Sequence, residues 1–82
     1  MLAYNARTKF DYMEFVKDVK KYYHSLEPTN TDLSMTGRIA RETGLDRLVV
    51  KYALGEAQIR SFDTVLRLAG WAGLYLDEYR RE

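Results

Sequence analysis

The stretch from Thr36 to Gly55, TGRIARETGLDRLVVKYALG, limits what this chain can fold into more than any other. Its spacing predicts a helix, a tight turn and a second helix. Two helices that meet at roughly 90–120° over a short turn need a small residue where their axes come closest. Ala40 can fill that place. Gly44, four residues on, can adopt the left-handed conformation that reverses the chain without a Cβ penalty. Asp46 is a good N-cap for the second helix, its carboxylate accepting from the amides that follow. Ile39, Leu45, Val50, Ala53 and Leu54 then fall on the buried sides of the pair. This is a helix-turn-helix pattern.

The remaining sequence supplies a modest core around that pair. Eighty-two residues make one domain, taken as 1–82, with no room for a second core. The absence of cysteine excludes disulfides and thiolate metal sites, and suits a reducing cytoplasm. No apolar run approaches the ~20 residues of a membrane span, and the N-terminus lacks a signal-peptide core. A net charge of +1 says little about partners. Its distribution says more: Arg38, Arg41, Arg47 and Lys51 outnumber Glu42 and Asp46 in the 36–55 stretch, and Lys17, Lys20 and Lys21 form a second basic cluster. The tail from Trp71 is slightly acidic, so polyanion contact is favoured on one side only.

In chain order, Met1 to Arg7 is expected to fray. A first helix follows, capped by Thr8 or Asp11 and running to about Leu26, with Tyr12, Phe15, Val16, Val19, Tyr22, Tyr23 and Leu26 on its apolar stripe. The like-charge pairs Glu14–Asp18 and Lys17–Lys21 at i,i+4 mean that packing must hold it. Pro28 stops it, and 28–33 reads as a surface loop. Ser34 or Asp32 caps a second helix, Met35 to Thr43. After Gly55, read as the residue that ends the third helix, a loop leads to Ser61, the cap of a fourth. Phe62, Val65, Leu66 and Ala69 form its expected inner stripe, and Gly73 its end. Leu74 to Tyr79 is open: the Leu74–Leu76 alternation suits a short strand, Leu76 with Tyr79 one helical turn.

Residues 36–76 resemble the Cro/repressor-type helix-turn-helix domain of the XRE superfamily, nearest to addiction-module antidote proteins and small phage regulators. IARETGLDRLVVKYAL (Ile39 to Leu54) and SFDTVLRLAG (Ser61 to Gly70) carry the resemblance. It implies an all-α compact bundle of about five helices that binds double-stranded operator DNA as a two-fold homodimer; the open segment Leu74 to Tyr79 adds a short C-terminal strand as an option. Two positions depart from that family's pattern. Ile59 and Arg60 stand where an Asn-Pro pair is usual before the fourth helix, and Thr36 and Gly37 stand where a Gln near the start of the second helix is common.

At 100° per residue the outward face of the third helix is Leu48, Lys51, Tyr52 and Gly55, with Arg47 in its first turn. In the family's docking pose Arg47 can bond guanine bidentately, Lys51 can reach guanine or phosphate, and Leu48 can touch a thymine methyl. Tyr52 can bond a phosphate. Thr36, Arg38 and Arg41 are candidates for backbone phosphates. Leu48 and Tyr52, four apart, equally suit packing against another protein or the C-terminal segment. The tail residues Trp71, Leu74, Tyr75, Leu76 and Tyr79 are more apolar than one small core needs, and are candidates for the dimer interface or for a lid on the bundle. His24 has no second His or Cys to share a metal, and no nucleophile motif, phosphate-cradling loop or paired carboxylate stands out. No enzyme activity, catalytic residue, cofactor or metal is therefore expected. Two functions remain: a sequence-specific regulator (a phage repressor or Cro-like protein, or an antitoxin that represses its own operon), or a protein-binding module on the same fold that neutralises a toxin or blocks a host complex.

Overall fold

Each α-helix begins where a side-chain oxygen can take an amide that has no partner within the helix. The computed structural model describes residues 9–28, 34–56 and 59–81. The expectations for Met1 to Arg7, for Thr8 and Asp32 as caps, and for most of the 28–33 loop lie outside those residues. Helix α1 spans Tyr12–Ser25 and is capped by Asp11, which accepts from the Glu14 amide at 3.0 Å. Helix α2 spans Met35–Thr43, with Ser34 Oγ accepting from Gly37 at 3.1 Å. Helix α3 spans Arg47–Glu56, where Asp46 Oδ1 accepts from Leu48 at 2.8 Å. Helix α4 spans Phe62–Ala72, and Ser61 Oγ accepts from Asp63 at 3.2 Å.

The helix ends follow backbone chemistry with one exception. Gly44 and Gly73 take up the left-handed conformation, at φ 77° and 69°, and close α2 and α4. Their amides bond back to the carbonyls of Ala40 and Ala69. Gly55 does not end its helix: α3 runs through it to Glu56 at an ordinary helical φ. Nothing local forces a reversal there, and a glycine one residue from a helix end is tolerated at small cost.

The core is one cluster fed by every helix. Phe15, Val16 and Val19 come from α1, Ile39 and Ala40 from α2, Val50, Ala53 and Leu54 from α3, and Val65, Leu68 and Ala69 from α4. Leu45 packs half-buried against it, as do Tyr23 and Trp71. Helix α1 lies across α3 and α4, and α2 packs on α3 and α4. The inner face of α4 is Thr64, Val65, Leu68, Ala69 and Ala72, which corrects the expected stripe. Phe62 and Leu66 point outward, 66% and 49% exposed. No helix among the described residues is long and apolar enough to cross a membrane.

The chain ends are clasped together. A one-turn 3₁₀ helix, Leu76–Tyr79, leads into strand β2, Arg80–Arg81, which pairs antiparallel with strand β1, Lys9–Phe10. The described chain is therefore mostly helical, with four α-helices and a small two-stranded ribbon rather than about five helices. The strand lies later than the Leu74–Leu76 alternation suggests. Tyr79 lies beneath this clasp, 2% exposed, edge-on to Phe15 at 5.4 Å, and its hydroxyl donates to Asp18 Oδ2 at 2.6 Å. Burial first, and the Asp18 carboxylate second, push its phenol well above the ordinary range near 10.

Gly44→Ala forces a Cβ into the left-handed region and within 3.1 Å of Arg67 Nη1, so it lowers stability by about 1–2 kcal/mol. Gly55→Ala, with nothing within 4 Å of the added Cβ, raises it by about 0.5 kcal/mol. Urea unfolding of both variants checks the contrast. Tyr79→Phe leaves Asp18 without its donor and costs about 1–3 kcal/mol. In an alkaline titration of the parent followed by tyrosinate absorbance, one tyrosine ionises last, and that component disappears in Tyr79→Phe.

Candidate nucleic-acid interface

Helix α3 buries one narrow stripe and leaves the rest of its surface open. Val50, Ala53 and Leu54 face the core, and Arg47, Leu48, Val49, Lys51, Tyr52 and Gly55 are exposed. The Asp46 carboxylate accepts from the Leu48 amide at the cap and forms no ion pair with the two cations that follow. Among the described residues neither Arg47 nor Lys51 takes part in an ion pair. Leu48 at 58% and Tyr52 at 48% exposure are not covered by the C-terminal segment. The four residues expected on one face therefore share it.

Two shallow grooves flank α3. One lies between α2 and the start of α3, and Gly37, Ala40, Leu45 and Asp46 line it together with Arg41 and Arg47. It brings a cation of each helix to one surface. The other lies between α3 and the start of α4, lined by Val49, Tyr52, Ile59, Arg60, Ser61 and Thr64. Val49 and Arg60 join the surface here and were not singled out by the sequence. Val49 falls 100° from Leu48, at the margin of a helical-wheel assignment, and Arg60 precedes a helix across a loop, where no periodicity places it.

Not every expected contact is free. Arg38 is withdrawn from solvent, its side chain 14% exposed. Its Nε donates to Glu42 Oε2 at 3.0 Å and its Nη1 to the Glu27 carbonyl at 3.1 Å, while the guanidinium lies 5.9 Å from the centre of the Tyr23 ring. It ties α2 to the end of α1 and is not a phosphate ligand in this arrangement. Arg41 is exposed, and Thr36 stands half-buried in the first turn of α2.

The tail set is mostly committed to the fold. Trp71 Nε1 donates to Glu42 Oε1 at 2.8 Å, and its ring meets Tyr22 edge-on at 4.8 Å. Leu74 and Leu76 pack half-buried on the core, and Tyr79 is inside it. Tyr79 therefore cannot serve a dimer interface; Tyr75, 74% exposed, is the one member of that set that stands clear. The basic cluster Lys17, Lys20 and Lys21 reaches, with His24, a third groove beside Leu54 and Glu56 at the far end of α3. Among the described residues no three of His, Cys, Asp and Glu gather as a metal would require.

Glu42 joins α2 to α4 beside this face. The Trp71 indole N–H and the Arg38 guanidinium both donate to it and hold its carboxyl below the ordinary value of 4.5. No family model, no curated protein and no solved structure matches the chain.

A group whose folded pKa is depressed adds stability above its unfolded pKa and loses it as pH falls through the folded value. The Glu42 contribution is therefore complete above about pH 4.5 and declines below it. Glu42→Gln is expected to melt lower than the parent at neutral pH, with the two curves converging in acid. Thermal unfolding between neutral pH and the acid range measures this.

Proposed function

We propose that this chain is a small sequence-specific DNA-binding regulator of the Cro/repressor helix-turn-helix type, working in the cytoplasm as a repressor of phage or antitoxin kind. The observation that carries the reading is the open, cationic outer face of α3: Arg47 and Lys51 exposed and unpaired among the described residues, with Arg41 sharing the adjoining groove. A helix held by one stripe and capped at its start is free to lie in a major groove, where Arg47 reads guanine and Lys51 guanine or phosphate. Leu48 suits a thymine methyl and Tyr52 a phosphate. Arg41 and Thr36 meet the backbone and set position rather than sequence. One domain of this size makes few contacts, so useful specificity calls for two copies on an inverted repeat, about one helical turn apart. The reading assigns no catalytic residue, cofactor or metal.

The exposed Leu48, Val49 and Tyr52 favour a second reading, in which the same helix docks on another protein. A toxin neutraliser or an inhibitor of a host complex would use that apolar centre.

Selection from random DNA should return an inverted repeat with half-sites about 10 base pairs apart. On the selected site Arg47→Ala is expected to cost about 1–3 kcal/mol, and binding should fall steeply as salt rises. No enrichment and no binding at low salt, together with a protein partner lost in Leu48→Asp, would leave the second reading standing.

A further inference from the structure

The outer face of α4 carries two large apolar side chains and a gap. Phe62, Leu66 and Gly70 recur every fourth residue, advancing about 40° around the helix at each step and spanning about 12 Å along it. Phe62 and Leu66 are exposed, and a Cβ built on Gly70 meets nothing within 4 Å. Beside this row stand Asp63 and Arg67, joined by a 2.9 Å ion pair.

We infer that α4 pairs antiparallel with α4 of a second copy, about a two-fold axis at Leu66. Three features of the face select that occupant. First, the row is self-complementary in shape: when the two helices cross at about −50°, so that their i,i+4 rows run parallel, Phe62 of each copy faces Gly70 of the other across Leu66, a ring opposite a gap. Second, it is self-complementary in charge. A two-fold of this kind sets like flanks side by side, so Asp63 of each copy runs beside Arg67 of the other. Acid meets base on that seam. Third, the exposed cations of the other two long faces are of one sign: α3 presents Arg47 and Lys51 beside its apolar side chains, and α1 presents Lys17 and Lys21, so like charges would meet in a copy-to-copy contact there. The need for two copies on an inverted repeat rests on the DNA-binding reading; the shape and charge of the face do not. That face also replaces the tail, where Trp71 and Tyr79 are already engaged, as the dimer surface.

Sedimentation equilibrium without DNA, from about 1 µM to about 1 mM, tests it across the range expected of a small interface. The mass is expected to rise from 9.6 kDa towards twice that value. Leu66→Asp and Leu66→Lys, each placing like charges on the axis, stay monomeric alone, and their equimolar mixture dimerises. Phe62→Ala weakens association about tenfold, and decides the matter should either charged variant lose its helical circular dichroism. A parent that remains at 9.6 kDa throughout, a Leu66→Asp that self-associates like the parent, or a mixture that stays monomeric overturns the inference. A monomer that binds operator half-sites would leave the DNA reading intact, and a dimer without DNA affinity would leave this one.

Discussion

The corner between α2 and α3 governs the rest of the structure. Gly44 turns the chain in the left-handed region, and Arg67 of α4 reaches across to donate to the Thr43 carbonyl at 2.9 Å. That bond satisfies a carbonyl at the end of α2 that has no partner within the helix. It also places Arg67 Nη1 where a Cβ on residue 44 would go. Thr43 adds to the corner from within: its hydroxyl donates to the Ile39 carbonyl at 2.7 Å and accepts from the Leu45 amide at 3.3 Å. With the corner fixed, Val50, Ala53 and Leu54 dock on the core and the opposite side of α3 has nowhere to go but outward.

A second junction sets what α3 is fixed against. Glu42 takes Trp71 from α4 and Arg38 from its own helix, and Arg38 continues to the Glu27 carbonyl beyond α1. Two helices thus meet at one carboxylate, and Arg38 carries the link on to a third segment. Exposed ion pairs contribute little singly, and this one gains from being shared and from the withdrawal of Arg38. The clasp of β1 with β2 closes the molecule on the other side. Asp11 serves it twice, capping α1 and pairing with Arg81 at 3.3 Å, while its amide donates to the Tyr79 carbonyl.

Local chemistry was legible in the sequence and distant chemistry was not. Ser34, Asp46, Ser61, Gly44 and Gly73 act within one turn of their own position, so residue type places these starts and stops, while Gly55, a residue of the same type, lies inside its helix. The phase of α4 was misleading because Phe62 and Leu66 are apolar yet exposed, and hydrophobicity cannot tell a core stripe from an open one. Arg38 reads as a surface cation until Glu27, eleven residues away, supplies its partner. The burial of Tyr79 depends on Asp18, sixty-one residues back, and on strands of two residues each, too short to announce themselves. For the candidate interface, Arg47, Leu48, Lys51 and Tyr52 were legible because helical periodicity alone sends them to one side, while Arg60 sits in an irregular segment.

The account turns on the outer face of α3 being the surface that meets DNA. An amide chemical-shift map, recorded as a mixed-sequence duplex is added at low salt, addresses that face residue by residue. Saturable shifts are expected in the segment from Asp46 to Tyr52 and at Arg41 and Thr36, reversed when salt is raised. Shifts centred on Lys17, Lys20, Lys21 and His24 with α3 silent, or no shifts at all, would contradict it.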